Sequence, residues 1–209
     1  MKLNQGDYPG KCEMCGTELS RRGMVAHVLA CAAEHDKGGP GEPLVHLHIT
    51  TPGGPEYWLY VEARPSASLK QLDALLRRLW LECCSHMSEF RLGRAELSKA
   101  SRIEDLKQKG RAFDYEYDFG STTSLTGQVL GSREGSPGRH AVRLLARNVP
   151  LLWVCAECSK PAVLVCSLCA ESAPSTFCRV HAPDHPCAAD EPFLPIVNSP
   201  RMGVCGYTG

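Results

Sequence analysis

Leu44-Val45-His46-Leu47-His48-Ile49-Thr50 and Tyr57-Trp58-Leu59-Tyr60-Val61-Glu62-Ala63 are two β-rich runs joined by Thr51-Pro52-Gly53-Gly54-Pro55. Apolar residues alternate in the first run, and Pro and Gly punctuate the join, so residues 44–63 read as a β-hairpin. The period then changes. Ser68 and Gln71 form a capping box, after which Leu69, Leu72, Leu76, Leu79 and Trp80 recur at helical spacing with Lys70, Asp73, Arg77 and Arg78 between them. A second box, Ser101 with Glu104, opens a short helix carrying Ile103 and Leu106 that stops at Gly110. Strands follow at 113–119, 122–130 and 141–147. A hairpin, a long helix and further strands give an α+β domain, expected as a mixed sheet packed on the long helix on one face.

Outward from this domain the composition changes. Of 12 cysteines in 209 residues, Cys12, Cys15 and Cys31 lie near the start and six fall between Cys155 and Cys187, leaving Cys83, Cys84 and Cys205. Together with the breaker Gly38-Gly39-Pro40-Gly41, this divides the chain into residues 1–40, 41–149 and 150–209. The hydrophobic fraction of 43% is that of a globular protein and excludes collagen-like and disordered classes. There is no apolar run of the roughly 18 residues a membrane helix needs, and residues 1–7 lack a secretory h-region. The expectation is a soluble, cytoplasmic protein without membrane association, in which cysteines serve metal and not disulfides.

Cys12-x2-Cys15, followed by His27-x3-Cys31, has the layout of a Cys3His zinc finger. The first pair fits a tight knuckle, and the second shares one helical face, so all four converge on one ion, with Leu19 and Met24 as a small core. His35, further along, reads as a solvated histidine. Residues 150–209 carry Cys155-x2-Cys158, Cys166-x2-Cys169, Cys178-x2-His181 and His185-x-Cys187, enough for two tetrahedral sites. Alternating pairing, as in RING and B-box modules, puts Cys155, Cys158, Cys178 and His181 on one ion and Cys166, Cys169, His185 and Cys187 on the other. Sequential pairing is equally consistent with the spacing. The expectation is three zinc ions per chain, held by nine cysteines and three histidines.

Tyr57-Trp58-Leu59-Tyr60-Val61, the Leu69, Leu72 and Leu79 helix, His86 to Phe90, and Tyr115-Glu116-Tyr117-Asp118-Phe119-Gly120 resemble the plasmid pRiA4b ORF-3-like family over about half of the chain. Where many relatives continue with an acid and a tryptophan, this chain has Ser121, Thr122 and Thr123. The Cys-rich ends resemble a subgroup with zinc-finger-like modules on both sides. The resemblance implies the α+β fold and carries no settled activity.

Charge bears on function. Residues 1–40, 41–150 and 151–209 have net charges of 0, +2 and −2, and each Cys3His zinc adds about −1, so neither Cys-rich end offers the positive surface that phosphates require. The main reading is therefore a zinc-binding, non-catalytic interaction protein with a protein partner. One alternative is nucleic-acid binding through the basic region 91–111 and Arg21-Arg22 of the N-terminal finger. The other is a metal-dependent enzyme, for which His46 and His48 on one strand would meet Asp114, Glu116 and Asp118 on another. The ordinary reading of these five is the wet side of half-buried strands. Cys83 and Cys84 read as packed thiols, and Cys205 has no base near it in sequence.

Overall fold

The computed structural model describes residues 8–36, 38–108, 112–170, 174–191 and 193–209. Its residues form two compact units: 8–78 with Met87–Val149, and Leu79–His86 with Pro150–Gly209.

The first unit is built on a sheet. Its elements are β1 (Gly10–Cys12), β2 (Glu18–Leu19), α1 (Arg21–Glu34), β3 (Glu42–Thr50), β4 (Trp58–Ala63), α2 (Leu69–Leu76), β5 (Ser88–Leu92), β6 (Ala95–Leu97), α3 (Ile103–Gln108), β7 (Ala112–Tyr117), β8 (Thr123–Gly135) and β9 (Val142–Asn148). The strands make one nine-stranded sheet in the order β2-β1-β9-β4-β3-β8-β7-β5-β6. The hairpin of residues 44–63 is its centre, with Leu47 opposite Val61 and His48 opposite Tyr60.

Two expectations need correction. The sheet is not mixed: every pairing in it is antiparallel. The chain does cross over through α2, and β4 and β5 run the same way, but β3, β8 and β7 lie between them, so no parallel pair forms. The long helix is also shorter than its periodicity suggests. Helical spacing ends at Leu76, and Arg77–Leu81 form a π-helical turn, in which each N–H reaches one residue further back. The longest helix among the described residues is α1, with 14 residues. At Ser68 the backbone N–H donates to Gln71 Oε1 at 2.9 Å, as the capping box requires. At the second box the acid is Asp105, which accepts from Arg102 N at 2.8 Å, while Gly110 lies outside the described residues.

Both faces of the sheet centre are covered, and every residue of β4 is buried. Phe90, Phe113, Tyr115 and Leu47 belong to the face that receives α2, where the Tyr115 hydroxyl donates to Asp73 Oδ1 at 2.8 Å. Burial alone would raise the Asp73 carboxyl. Hydrogen bonds from Ser88 and Tyr115 and the charges of Arg77 and Lys99 overcome it and hold the group below its usual range.

The other face receives α1. Met24, Val28 and Ala32 pack with Trp58, Tyr60, Leu145 and Ala146. Residues 8–36 thus do not stand apart from the sheet, since β1 pairs with β9 from Gly10↔Asn148 to Cys12↔Ala146. Gly10 is needed there because a Cβ would overlap the Trp58 indole.

The second unit has little regular structure: β10 (Leu164–Val165), β11 (Thr176–Phe177) and β12 (Leu194–Pro195) in the order β11-β10-β12, with 3-10 turns at Ala182–Asp184 and Pro186–Ala189. Its buried cluster consists of Cys155, Cys166, Phe177, Cys178 and Ala182. Sulfur occupies the places that aliphatic side chains take in the sheet.

Candidate metal centres

A zinc ion with sulfur at about 2.3 Å and nitrogen at about 2.05 Å gives a tetrahedron whose edges are about 3.8 Å between sulfurs and about 3.6 Å from sulfur to nitrogen. A disulfide would place its sulfurs at about 2.05 Å. The two cases are easily told apart.

The hairpin of β1 and β2 presents Cys12 and Cys15. Cys12 N donates to Thr17 O, and Gly16 N returns to Cys12 O, both at 2.9 Å, closing a tight turn. Helix α1 presents His27 and Cys31, one turn apart, after Ser20 caps its start by accepting from Gly23 N at 3.1 Å. Cys12 Sγ and Cys31 Sγ are 3.8 Å apart, and Cys15 Sγ lies 3.2 Å from His27 Nε2. All four ligand atoms lie within 4.8 Å of one another. His35 is not a freely solvated side chain: its Nδ1 lies 2.9 Å from Cys31 O and 3.5 Å from Cys31 Sγ. It therefore touches a ligand from outside the quartet.

In the second unit the ligand pairs alternate. Cys155 and Cys158 meet Cys178 and His181, and Cys166 and Cys169 meet His185 and Cys187, each set within 4.8 Å. His181 Nδ1 lies 3.5 Å from both Cys155 Sγ and Cys178 Sγ, and Cys158 and Cys178 are 4.0 Å apart. Around the other site, Cys169 Sγ is 3.5 Å from His185 Nε2 and 3.7 Å from Cys187 Sγ. Phe177 and Phe193 pack on the His185 ring at 4.6 and 5.7 Å between centroids, fixing its orientation. The strand pairing produces the alternation: β10 and β11 are neighbours, so the pair before β10 returns to the pair after β11.

The thiols of these quartets are held unequally. The Thr17 hydroxyl, then its N–H, bring Cys15 down to about 6, while burial and the neighbouring Cys15 and Cys12 sulfurs push Cys31 up to about 12. For Cys155, burial opposes ionisation, but the N–H groups of Cys178 and Glu157 and the His181 ring outweigh it and lower the thiol to about 6. The Cys169 thiol, burial and the Cys166 thiol raise Cys187 to about 11. Several thiolates in one pocket repel each other, and a divalent cation relieves that repulsion.

No family model matches the chain, and no curated protein matches it. Among solved structures, one of a protein of unknown function from Methanosarcina mazei Go1 is similar, at 15% identity and a TM-score of 0.37, covering 53% of this chain and 70% of that one. The centres are therefore read from their own chemistry.

A fourth group, Cys83, Cys84, His86 and Cys205, has its ligand atoms within 4.8 Å of one another. Local spacing gives no sign of it, because Cys205 is 119 residues from His86. The vicinal cysteines were the available signal, and they are not simply packed: Cys84 is exposed, and contact with the Cys205 and Cys83 thiols raises it to about 11.

The carboxylate and histidine cluster does not form. His46 and His48 lie on β3, Asp114 and Glu116 on β7, and β8 separates them. That is about 9.6 Å across the sheet alone, at about 4.8 Å per strand. Asp118 lies beyond β7 and accepts from Gly120 N at 3.0 Å. The histidines are not on a wet face either, because α1 covers it. His46 Nε2 contacts the fully buried Glu62 at 2.9 Å, and His48 stacks on Tyr60 at 4.8 Å, where burial lowers it to about 4. Glu62 also accepts from Arg133 Nε at 2.7 Å and Arg143 Nε at 2.8 Å, and Arg133 grips Asp36 beyond α1 through two nitrogens, each at 2.8 Å. The network ties α1, which carries His27 and Cys31, to the sheet. No helix among the described residues is long and apolar enough to cross a membrane.

Proposed function

We propose that this chain is a zinc-binding interaction protein, with zinc at the three quartets of Cys12, Cys155 and Cys166 serving as scaffold, and with the sheet unit as a pRiA4b ORF-3-like domain flanked by zinc modules. The observation that carries the reading is the completeness of each quartet. Four protein ligands at tetrahedral spacing leave no open position for water or substrate, which a catalytic zinc needs.

The tips of the second unit support protein contact. Leu168 sits in the Cys166–Cys169 loop at 57% exposure and Val180 in the Cys178–His181 loop at 64%. Apolar side chains held outward on braced loops are what a partner's surface can bury. Support for nucleic acid is weaker. Arg91 is paired with Glu89 at 2.8 Å and Arg102 with Glu104 at 3.2 Å, while Lys99 is directed at Ser88 and Asp73, so these cations of the 91–111 region are already balanced.

Affinity purification of the metal-loaded full chain from its host, with and without nuclease, tests this function. Proteins retained after nuclease, and lost with the double variant Leu168→Ser/Val180→Ser at unchanged zinc content, are the expected result. Loss of all co-purifying material on nuclease treatment would replace it with the nucleic-acid reading.

A further inference from the structure

The segment Leu79–His86 and the C-terminal tail belong to one unit although more than a hundred residues separate them. Ser199 Oγ donates to Trp80 O, and Arg201 N donates to Ser199 Oγ at 2.9 Å. Beyond these bonds the tail delivers Cys205 to Cys83, Cys84 and His86, with its Sγ 3.3 Å from His86 Nε2. That distance is close to the about 3.6 Å edge of a zinc site.

Two further observations bear on this group. Four non-glycine residues among those described have positive φ, and two of them are Ser85 at 58° and Cys205 at 51°. Left-handed backbone costs energy in side chains of this type and persists where surrounding structure demands it. Both lie at the quartet: Ser85 stands between Cys84 and His86, and Cys205 is itself a member. Arg201 is fully buried and directs Nε at Cys83 Sγ from 3.3 Å. A Cys3His zinc carries about one net negative charge, which a guanidinium at this distance favours.

We propose that Cys83, Cys84, His86 and Cys205 bind a fourth zinc ion that clasps the C-terminal tail to the 79–86 segment. Arg201 directs its Nε at the Cys83 ligand. The site is the most exchangeable of the four, because Cys84 and Cys205 are exposed, whereas each of the other quartets has at least one sulfur buried. Binding releases thiol protons and forms three Zn–S bonds and one Zn–N bond with no change of oxidation state.

Native mass spectrometry of the full chain, purified under reducing conditions with zinc, tests the proposal. The wild type is expected to carry four ions, Cys205→Ser and His86→Ala three, and His86→Cys four. On titration with a chelator, one ion leaves ahead of the others, and that early step is missing in Cys205→Ser. A wild-type count of three, unchanged in Cys205→Ser, overturns the fourth site and leaves the other three standing. A Cys84–Cys205 disulfide in the reduced, zinc-supplied protein overturns it as well. A count below three would instead remove the reading of the other quartets. Should Cys205→Ser fold poorly, the His86→Cys and His86→Ala pair decides the matter through rescue of the fourth ion.

Discussion

The sheet unit and the 150–209 region solve the same problem with different materials. The sheet buries Trp58, Phe90, Phe113, Tyr115 and a set of leucines, and its own Cys/His quartet rests on that apolar support through Met24, Val28 and Leu145. The 150–209 region packs its buried cluster of Cys155, Cys166, Cys178 and Ala182 around Phe177. A segment that short cannot remove enough apolar surface from water to offset its chain entropy. The lesson is that similar ligand quartets carry different weight: an addition to a sheet in one place, the core itself in the other.

The sharpest way to break that contrast is to remove the metal. With zinc binding worth about 10–16 kcal/mol to a small domain, chelation should unfold residues 150–209 while the sheet persists. Hydrogen exchange would show loss of protection at Ala156 and Val163, whose N–H groups bond across the module, with β3 and β8 still protected. Simultaneous loss in β3 and β8 would mean that the sheet, too, depends on metal.

The next largest effect belongs to the sheet. Glu62→Ala leaves Arg133 and Arg143 without their buried carboxylate and should cost about 3–5 kcal/mol in the sheet's denaturant transition, with the zinc count of the 150–209 sites unchanged. Gly10→Ala pushes a methyl into the Trp58 indole and should cost about 1–3 kcal/mol. It should also weaken zinc at the Cys12 quartet, since β1 carries both residues; a variant with wild-type zinc affinity would uncouple that quartet from the sheet. The smallest effect is in acid. Hydrogen bonds from Arg133 lower Asp36 from 3.8 to about 2, so its contribution is present above about pH 4 and is lost as pH falls through 2. The stability gap between wild type and Asp36→Asn should close over that window, zinc loss being common to both proteins.

The strands were legible where alternation and turn residues coincide. The expected 44–50 and 57–63 appear as Glu42–Thr50 and Trp58–Ala63, and 141–147 as Val142–Asn148. The hairpin of β5 and β6 escaped notice because Ser88–Leu92 and Ala95–Leu97 are short and carry charged residues. His46 and His48 misled because alternation identifies a shared face without telling what covers it, and the covering helix comes from residues 21–34.

By itself the sequence determined the ligand pairs, since two cysteines separated by two residues meet on one turn whatever the rest of the chain does. It also determined the strand-rich centre, because side-chain period is a local property. Tertiary structure decided which pairs share a site, that Glu62 engages His46, and that Cys205 meets Cys83, Cys84 and His86. Those outcomes depend on contacts between residues far apart in the chain, and distance along a chain sets no distance in space.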